Sequence, residues 1–241
     1  MHVPRLPNKK FVGASSMGPR GDVIAQMDWI TGEVMNEIKK LGLDENTLII
    51  FTSDNGPVLN DGYDDKAVEL LGNHKPAGPF RGGKYSAYEG GTRVPTIIRW
   101  NKTIKPKVSN ALVSQVDFYA SIAALLNQPL ADNEAIDSEN LINTFLGKTE
   151  KGREYLLEES YTFSLRKDEW KYIEPFPSNA NLPNFMANKG VEGGFKHSPQ
   201  LYNVKVDNGE RNDLSSQQPN LLKEMSLKIS QIKEKAKRDS H

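Results

Sequence analysis

The sequence contains no cysteine. This absence excludes disulfide bonds, metal sites built from thiolates and any mechanism that uses a cysteine nucleophile. It does not fix the compartment, because a protein without cysteine can function in either an oxidising or a reducing one. Any metal site formed by this chain must therefore use oxygen or imidazole ligands.

The chain also lacks net charge and any long hydrophobic run. Its 31 basic residues balance 31 acidic ones, so nothing indicates nucleic acid or an anionic membrane as a partner. No apolar run approaches the length of a membrane span, about 18 residues, and we expect no signal peptide at the start of the sequence. The 241 residues suit one large domain, or a domain and a half.

One segment, residues 48–100, carries most of the chemistry. It opens with the apolar, β-prone residues 48–52, which predict a buried strand of a parallel sheet. The strand stops where Gly56 and Pro57 turn the backbone, so that the oxygens of Asp54 and Asn55 can converge. A carboxylate beside an amide oxygen suits a hard cation such as calcium or magnesium. The same residues also form ordinary turns, so a plain loop is the alternative.

A second phrase, RGGKYSAYEGGTRVP, follows in the same segment. Gly82 and Gly83 allow the backbone to approach a ligand closely, and Lys84 comes directly after them. The apolar residues 96–100 then predict another strand. One acidic loop and one basic loop, each beside a strand, suit a metal ion and an anion that are bound side by side.

The two phrases together resemble the second half of the sulfatase family, in the alkaline phosphatase superfamily. The resemblance rests on a strand that ends in DNGP and is followed by GGK-x-x-x-x-EGG-x-R-x-P. It implies a sulfuric ester hydrolase similar to the arylsulfatases, in which Asp54 and Asn55 ligate calcium and Lys84 contacts the sulfate ester. It also implies that Glu89 and Arg93 form a structural ion pair.

The resemblance gives further candidates around the sulfate group. His2, in the opening HVPRLP, matches a family histidine that reaches the sulfate, with a floppy terminal histidine as the alternative. Lys75 and Arg81 are expected to bind substrate. His74 is a candidate contact for the sulfate or its sugar, although a lone loop histidine is also typical of a protein surface.

Local patterns predict the elements around these loops. Apolar residues at three- and four-residue steps predict a helix that begins with Asp22 as its N-cap and stops at Gly42. This helix leads into the first strand, as in the αβ half of a parallel crossover unit. Asp61, Asp64 and Asp65 form an acidic cluster that is expected to be solvated, with contact at the rim of the substrate site as the alternative.

The predicted fold class is α/β: part of a mixed, largely parallel sheet flanked by helices, then a small C-terminal antiparallel-sheet subdomain and a closing helix. By the resemblance, residues 1–150 are the C-terminal part of the sulfatase catalytic α/β domain, and residues 151–241 are the small subdomain. Short β-prone runs between polar turns predict the antiparallel strands. They lie at residues 155–157, 162–165, 170–173 and 200–203, with a long loop at 175–199 and the closing helix at 220–237.

Sulfatases cleave sulfate esters through a formylglycine that is made from the first residue of a C/S-x-P-x-R motif. These 241 residues contain neither a cysteine nor a Ser-x-Pro-x-Arg sequence. The formylglycine is therefore expected in a missing N-terminal half, which is a candidate partner. The calcium site is expected to be incomplete and the chain alone inactive. The expected substrate is a sulfated small molecule or carbohydrate, and full-length family members are expected in the periplasm or outside the cell.

Two other functions stay open at this point. A phosphatase or phosphodiesterase of the same superfamily would share the sheet, but such enzymes tend to use Asp/His pairs around two metals. A non-catalytic module would instead bind sulfated glycans through Lys84, Lys75 and Arg81. Such a module would retain a sulfated sugar without calcium and release it at high salt.

Overall fold

The structure, a computed structural model, describes residues 2–182 and 190–239. The predicted loop 175–199 therefore includes residues 183–189, which lie outside the described residues. The elements, in chain order, are α1 (Gly18–Lys40), β1 (Ile49–Thr52), α2 (Glu89–Thr92), β2 (Thr96–Arg99), α3 (Asp117–Leu125), α4 (Ile142–Phe145), β3 (Leu156–Ser160), β4 (Thr162–Lys167), β5 (Trp170–Ile173), β6 (Gln200–Asn203) and α5 (Pro219–Asp239).

Helix α1 begins earlier than the sequence predicts, at Gly18. Asp22 is not its N-cap, because this buried residue lies inside the helix. Its carboxylate accepts hydrogen bonds from the backbone N–H groups of Gly13 and Ser15 at 2.9 Å each, so it holds the preceding loop. The C-terminal end is as predicted: Gly42, with φ +69°, takes the left-handed conformation that stops a helix.

Strands β1 and β2 form an antiparallel pair, in which Ile49 lies opposite Arg99 and Thr52 lies opposite Thr96. A parallel partner for β1 is absent from the described residues, and a larger, largely parallel sheet stays a prediction. The expectation of a buried strand is wrong within this chain, because every residue of β1 is half-buried. Ile97 of β2 is 61% exposed. The described residues therefore cover the apolar side chains of these two strands only in part.

The C-terminal part contains a four-stranded antiparallel sheet in the order β3–β4–β5–β6. Helix α5 packs across one face, where Met225 and Ile229 are fully buried against Leu165, Tyr172 and Leu201. This arrangement confirms the predicted antiparallel sheet and closing helix.

The other face of this sheet packs against the second phrase of the sequence, because side chains alternate between the two faces of a strand. Ala87 and Tyr88 are buried there with Ile173, Tyr202 and Val204. The loop that precedes α2 is therefore part of the same core as the C-terminal sheet.

A buried charge network lies at this junction and is centred on Glu89. The Glu89 carboxylate is fully buried and accepts hydrogen bonds from Arg166 at 2.7 Å, Lys171 at 3.1 Å and Arg93 at 3.3 Å. Lys171 is equally buried and also pairs with Glu158 at 2.8 Å. The expected ion pair between Glu89 and Arg93 is confirmed, and two further cations from the sheet join it.

The network keeps its members charged. Burial by itself would raise the pKa of Glu89, but the charges of Lys171 and Arg166 lower that pKa to about 2. Burial would likewise lower the pKa of Lys171, but Glu158 and Glu89 outweigh it and the pKa is raised. Glu89 is therefore an ionised carboxylate at neutral pH, and its partners must stay in place to compensate it.

Replacing Lys171 with methionine is expected to destabilise the protein by about 3–5 kcal/mol, because one partner of a buried ion pair is then left uncompensated. The free energy of unfolding in urea measures the change. Lys40→Ala is the control, since Lys40 and Glu37 form an exposed pair and such pairs contribute about 0–1 kcal/mol. A Lys171→Met variant that is as stable as the control would contradict a central role for the network.

Glu210 is a second buried carboxylate at the same junction. One of its oxygens, Oε2, accepts a hydrogen bond from the backbone N–H of Glu89 at 2.7 Å. The other, Oε1, is buried without a hydrogen-bond partner among the described residues. Burial raises the pKa of Glu210 to about 7, against the opposing effect of the Lys171 charge.

Stability is expected to fall as the pH rises from about 5 to about 7.5, because the folded protein holds a proton on Glu210 that the unfolded chain releases more readily. This contribution is complete below the ordinary value of 4.5 and is lost as the pH rises through the folded value of about 7. Glu210→Gln stays neutral, keeps an acceptor oxygen and should flatten the profile. Urea unfolding at several pH values measures both proteins, and equal slopes would assign the pH dependence to other groups.

Candidate active site

The two phrases that the sequence places around a ligand lie against each other in the fold. The N–H of Gly56 donates to the carbonyl of Gly91, and the N–H of Lys84 donates to the carbonyl of Pro57, each at 2.9 Å. The turn after β1 and the loop that carries the lysine are therefore neighbours. These backbone hydrogen bonds set the turn that carries the predicted metal ligands against the loop that carries the predicted sulfate contact.

The glycines of both phrases make this close packing possible. A Cβ atom on Gly56 would overlap the carbonyl of Gly90, and one on Gly83 would overlap the carbonyl oxygen of Pro57. Gly82 has φ +82°, and a Cβ there would overlap the hydroxyl of Ser86. The sequence predicts that Gly82 and Gly83 admit a ligand, whereas in the structure Gly83 admits the turn after β1 and Gly82 admits the side chain of Ser86.

Asp54 and Asn55 occupy the turn after β1. Asp54 is exposed, and its Oδ1 accepts a hydrogen bond from the backbone N–H of Asn55 at 3.0 Å. The amide nitrogen of Asn55 donates to the carbonyl of Gly56 at 2.8 Å, which leaves the amide oxygen as the acceptor. Oxygens of this kind suit calcium, which prefers about six to eight of them. In the described ranges, no three or more His, Asp or Glu side chains are grouped to hold a metal.

Lys84 is half-buried in the middle of the second phrase, and its Nζ lies 5.4 Å from the centroid of the Tyr85 ring. Tyr85 has φ +78°, a left-handed conformation that bulky residues rarely adopt. The hydroxyl of Ser160, at the end of β3, donates to the carbonyl of Tyr85 at 2.5 Å. The C-terminal sheet therefore helps to fix the backbone that carries the lysine.

Part of the long loop, residues 190–196, lies over the second phrase, and we call it the strap. The hydroxyl of Ser86 donates to the carbonyl of Glu192 at 2.6 Å. The N–H of Ala87 donates to the carbonyl of Gly193 at 2.9 Å. The strap thus contacts the lysine loop through these two hydrogen bonds, and it belongs to the structure around the candidate site.

Arg81 is held by the strap. Its Nε donates to the Glu192 carboxylate at 2.6 Å, and its Nη1 donates to the carbonyl of Glu210 at 2.8 Å. The guanidinium also lies 4.2 Å from the centroid of the Tyr88 ring. These contacts favour a role in positioning the loop over the predicted contact with substrate, which stays a prediction.

His74 and Lys75 lie exposed on the loop between the two phrases. The hydrogen bonds of the described residues do not join either side chain to Lys84 or to the turn after β1. Their contact with sulfate or sugar stays a prediction.

His2 is exposed, and its Nδ1 lies 3.1 Å from the carbonyl oxygen of Val3. It lines a groove of about 270 Å³ together with Met27 and Ile30 of α1. Within the described part of the chain, no hydrogen bond joins His2 to Lys84. Its contact with the sulfate group therefore stays a prediction.

Arg5 fastens the segment that carries His2 to the loop that follows DNGP. Arg5 is 2% exposed, and its guanidinium pairs with Asp65 at 2.5 Å and with Asp61. Asp65 is buried as well, so the expectation of a solvated acidic cluster is wrong for these two aspartates, although Asp64 is exposed. Local sequence could not show this, because the compensating cation comes from a distant part of the chain.

Sequence reasoning also missed the supports that come from the C-terminal sheet. Ser160 ends β3, Tyr161 forms the turn between β3 and β4, and Glu192 lies in the strap. The available signal was a polar turn between two β-prone runs. That signal predicts a hairpin, but it does not predict which loop the hairpin touches.

A profile of the sulfatase family matches residues 2–128. The chain belongs to the sulfatase family. The N-acetylgalactosamine-6-O-sulfatase of Bacteroides thetaiotaomicron is 47% identical over 235 residues, which cover 97% of this chain and 45% of that protein. A solved sulfatase structure from work on glycosaminoglycan metabolism in the same bacterium has a TM-score of 0.91 at 47% identity, and it covers 97% of this chain and 48% of that chain.

A more distant solved structure holds its substrate, D-glucosamine-2-N,6-O-disulfate. Its TM-score is 0.63 at 19% identity, with 90% of this chain and 40% of that chain covered, and it shows the same fold. The chain spans about half the length of the first two sulfatases above, 45% and 48% respectively. In the described residues, no helix has the length and apolar character needed to cross a membrane.

Replacing Gly56 with alanine is expected to destabilise the protein by about 1–3 kcal/mol, because the new methyl group forces the two loops apart. Gly32→Ala is the matched control. Gly32 lies in α1 with open space around its Cβ position, and this change should stabilise by up to about 1 kcal/mol. Urea unfolding of both variants measures the difference, and a Gly56→Ala variant as stable as the wild type would contradict the close packing.

Proposed function

We propose that this sulfatase chain forms the part of an active site that binds calcium and the sulfate group of a sulfated carbohydrate. The observation that carries the proposal is the hydrogen bond from the Lys84 N–H to the Pro57 carbonyl, at 2.9 Å. It sets the lysine loop against the turn that holds Asp54 and Asn55. A cation site beside an ammonium suits a sulfate ester, because the sulfate oxygens can meet both at once.

Asp54 and Asn55 fit calcium by their chemistry, since a carboxylate and an amide oxygen are hard ligands. When bound, calcium would act as a Lewis acid that withdraws negative charge from the sulfate oxygens. These two residues provide fewer oxygens than calcium prefers, about six to eight. The site formed by this chain is therefore part of a larger ligand set.

Lys84 is assigned the contact with the sulfate ester. A lysine ammonium carries three donors and no acceptor, so it can hold a sulfate oxygen or the oxygen of the departing alcohol. Stabilisation of the leaving alkoxide by a positioned acid is a usual requirement of ester cleavage. His2 is proposed as a second group near the sulfate, because the Arg5 ion pairs set its segment beside the loop after DNGP.

The residues of this chain do not fit a formylglycine, because they include neither a cysteine nor a Ser-x-Pro-x-Arg sequence. We therefore assign no step to such a group. The chain by itself is expected not to hydrolyse sulfate esters, since attack on sulfur requires an activated nucleophile.

We infer a 6-O-sulfated N-acetylgalactosamine as the substrate. The N-acetylgalactosamine-6-O-sulfatase of Bacteroides thetaiotaomicron is 47% identical over 97% of this chain, which supports that choice. The structure that holds D-glucosamine-2-N,6-O-disulfate supports the coarser class, a sulfated carbohydrate.

A chimera tests this function: the chain replaces the matching part of the Bacteroides enzyme, and hydrolysis of N-acetylgalactosamine 6-sulfate is measured. We expect activity in the chimera and none in the chain alone. Lys84→Ala in the chimera should lower kcat/KM by about 10²–10³-fold, the usual cost of removing a donor that stabilises developing charge. Lys105→Ala is the control, because Lys105 is an exposed loop lysine.

Equal activity of the Lys84→Ala and Lys105→Ala chimeras would show that Lys84 takes no part in the reaction. An inactive but folded chimera would favour a non-catalytic module, provided that the chain retains a sulfated sugar without calcium and releases it at high salt.

A further inference from the structure

Two tyrosines beside the lysine loop adopt a backbone conformation that costs energy. Tyr85 has φ +78° and Tyr161 has φ +55°. A bulky residue in the left-handed region is an outlier, and each such residue costs about 1–3 kcal/mol unless its surroundings impose it. Strained residues of this kind cluster at ligand sites, so the pair calls for an explanation.

One hydrogen bond joins the hairpin that carries Tyr161 to the backbone of Tyr85. The hydroxyl of Ser160 donates to the carbonyl of Tyr85 at 2.5 Å. Ser160 pairs with Thr162 across the β3–β4 hairpin, so Tyr161 alone forms the tip of that hairpin. The tip therefore lies next to the backbone of Lys84.

Glycine or asparagine would make this turn with less strain, because both enter the left-handed region more easily. The side chain at the tip must then have a use of its own. Packing accounts for only part of the Tyr161 side chain. Its ring meets Phe195 of the strap edge-on, with centroids 6.0 Å apart and planes at 88°. Tyr161 nevertheless remains 43% exposed.

The Phe195 ring that supports Tyr161 is itself fixed, since it packs on Phe176 with centroids 5.4 Å apart. The Tyr161 ring thus packs against an aromatic pair and keeps a solvent-exposed surface. The Lys84 ammonium lies 5.4 Å from the ring centroid of Tyr85, and the Ser160 hydrogen bond joins the backbone of Tyr85 to the hairpin that carries Tyr161. An aromatic surface and a cation in such proximity suit a ligand that has an apolar face and an anionic substituent.

We propose that Tyr161, with Tyr85 beside it, forms a subsite for the pyranose ring whose sulfate meets Lys84. One face of a pyranose presents C–H groups, and tyrosine offers a large apolar ring with a polar hydroxyl at its edge. The subsite would select a sugar sulfate over a small sulfate ester. The inference rests on the proposed function, because it takes Lys84 as the sulfate contact.

Saturation-transfer NMR on the full 241-residue chain tests the subsite with three probes: N-acetylgalactosamine 6-sulfate, unsulfated N-acetylgalactosamine and inorganic sulfate. Tyr161→Asn should weaken binding of both sugars by about tenfold, the upper end of what one aromatic contact contributes. Binding of inorganic sulfate should not change. Tyr119→Asn is the control, since Tyr119 is 57% exposed on α3.

Thermal unfolding separates binding from folding. The midpoint of Tyr161→Asn should stay within about 3 °C of the wild type, because relief of the left-handed strain offsets the lost contact with Phe195. A variant that binds the sugars as the wild type does would overturn the subsite, and so would a variant that loses the sugars only because it unfolds.

The outcomes also separate the subsite from the proposed function. Lys84→Ala should weaken binding of the sulfated sugar and of sulfate but leave the unsulfated sugar unaffected. If Tyr161→Asn lowers binding of both sugars while Lys84→Ala changes nothing, the subsite stands and the sulfate contact of Lys84 falls. The reverse pattern would overturn the subsite alone, and a wild-type chain that binds none of the probes would overturn it together with the sulfate contact.

Discussion

The burial of the Glu89 carboxylate is the constraint on which the rest of the structure depends. A carboxylate removed from water needs compensating cations, and Arg166 and Lys171 of the C-terminal sheet provide them. The residues directly after Glu89, Gly90 and Gly91, pack against the turn that follows β1. We infer that this ion network fixes the geometry of the junction. We do not attribute the net stability of the junction to it, since buried ion pairs often contribute little net free energy.

From that junction, three elements support the lysine loop. The turn after β1 holds it by a backbone hydrogen bond from Lys84 itself. The β3–β4 hairpin holds it through Ser160, and the strap holds it through Glu192, which also pairs with Arg81. Polar groups of the C-terminal sheet and the strap thus support the backbone that carries the candidate sulfate contact. This is how a small sheet that carries no candidate metal ligand contributes to the site.

Local patterns predicted those features whose causes are local. The glycine that stops α1 and the antiparallel strands of the C-terminal sheet each follow from neighbouring residues, and both are confirmed. The role of Lys84 stays a prediction. The features that were missed depend on residues distant in the chain: Asp22 serves an earlier loop, and Arg5 neutralises Asp61 and Asp65. The glycines of the second phrase illustrate the limit, since sequence showed that something approaches them closely but not that it is another loop.

The contacts of the β3–β4 hairpin and of Glu89 bear on how sulfatases can exchange parts. A crossover placed between the two predicted domains, near residue 150, would separate the lysine loop from the sheet that fixes its backbone. A recombinant that takes the sheet from one parent and residues 81–93 from another could bury Glu89 without the cations of the sheet that compensate its charge. A recombinant that keeps this site intact must take the sheet and the loop from the same parent, although the two are far apart in the sequence.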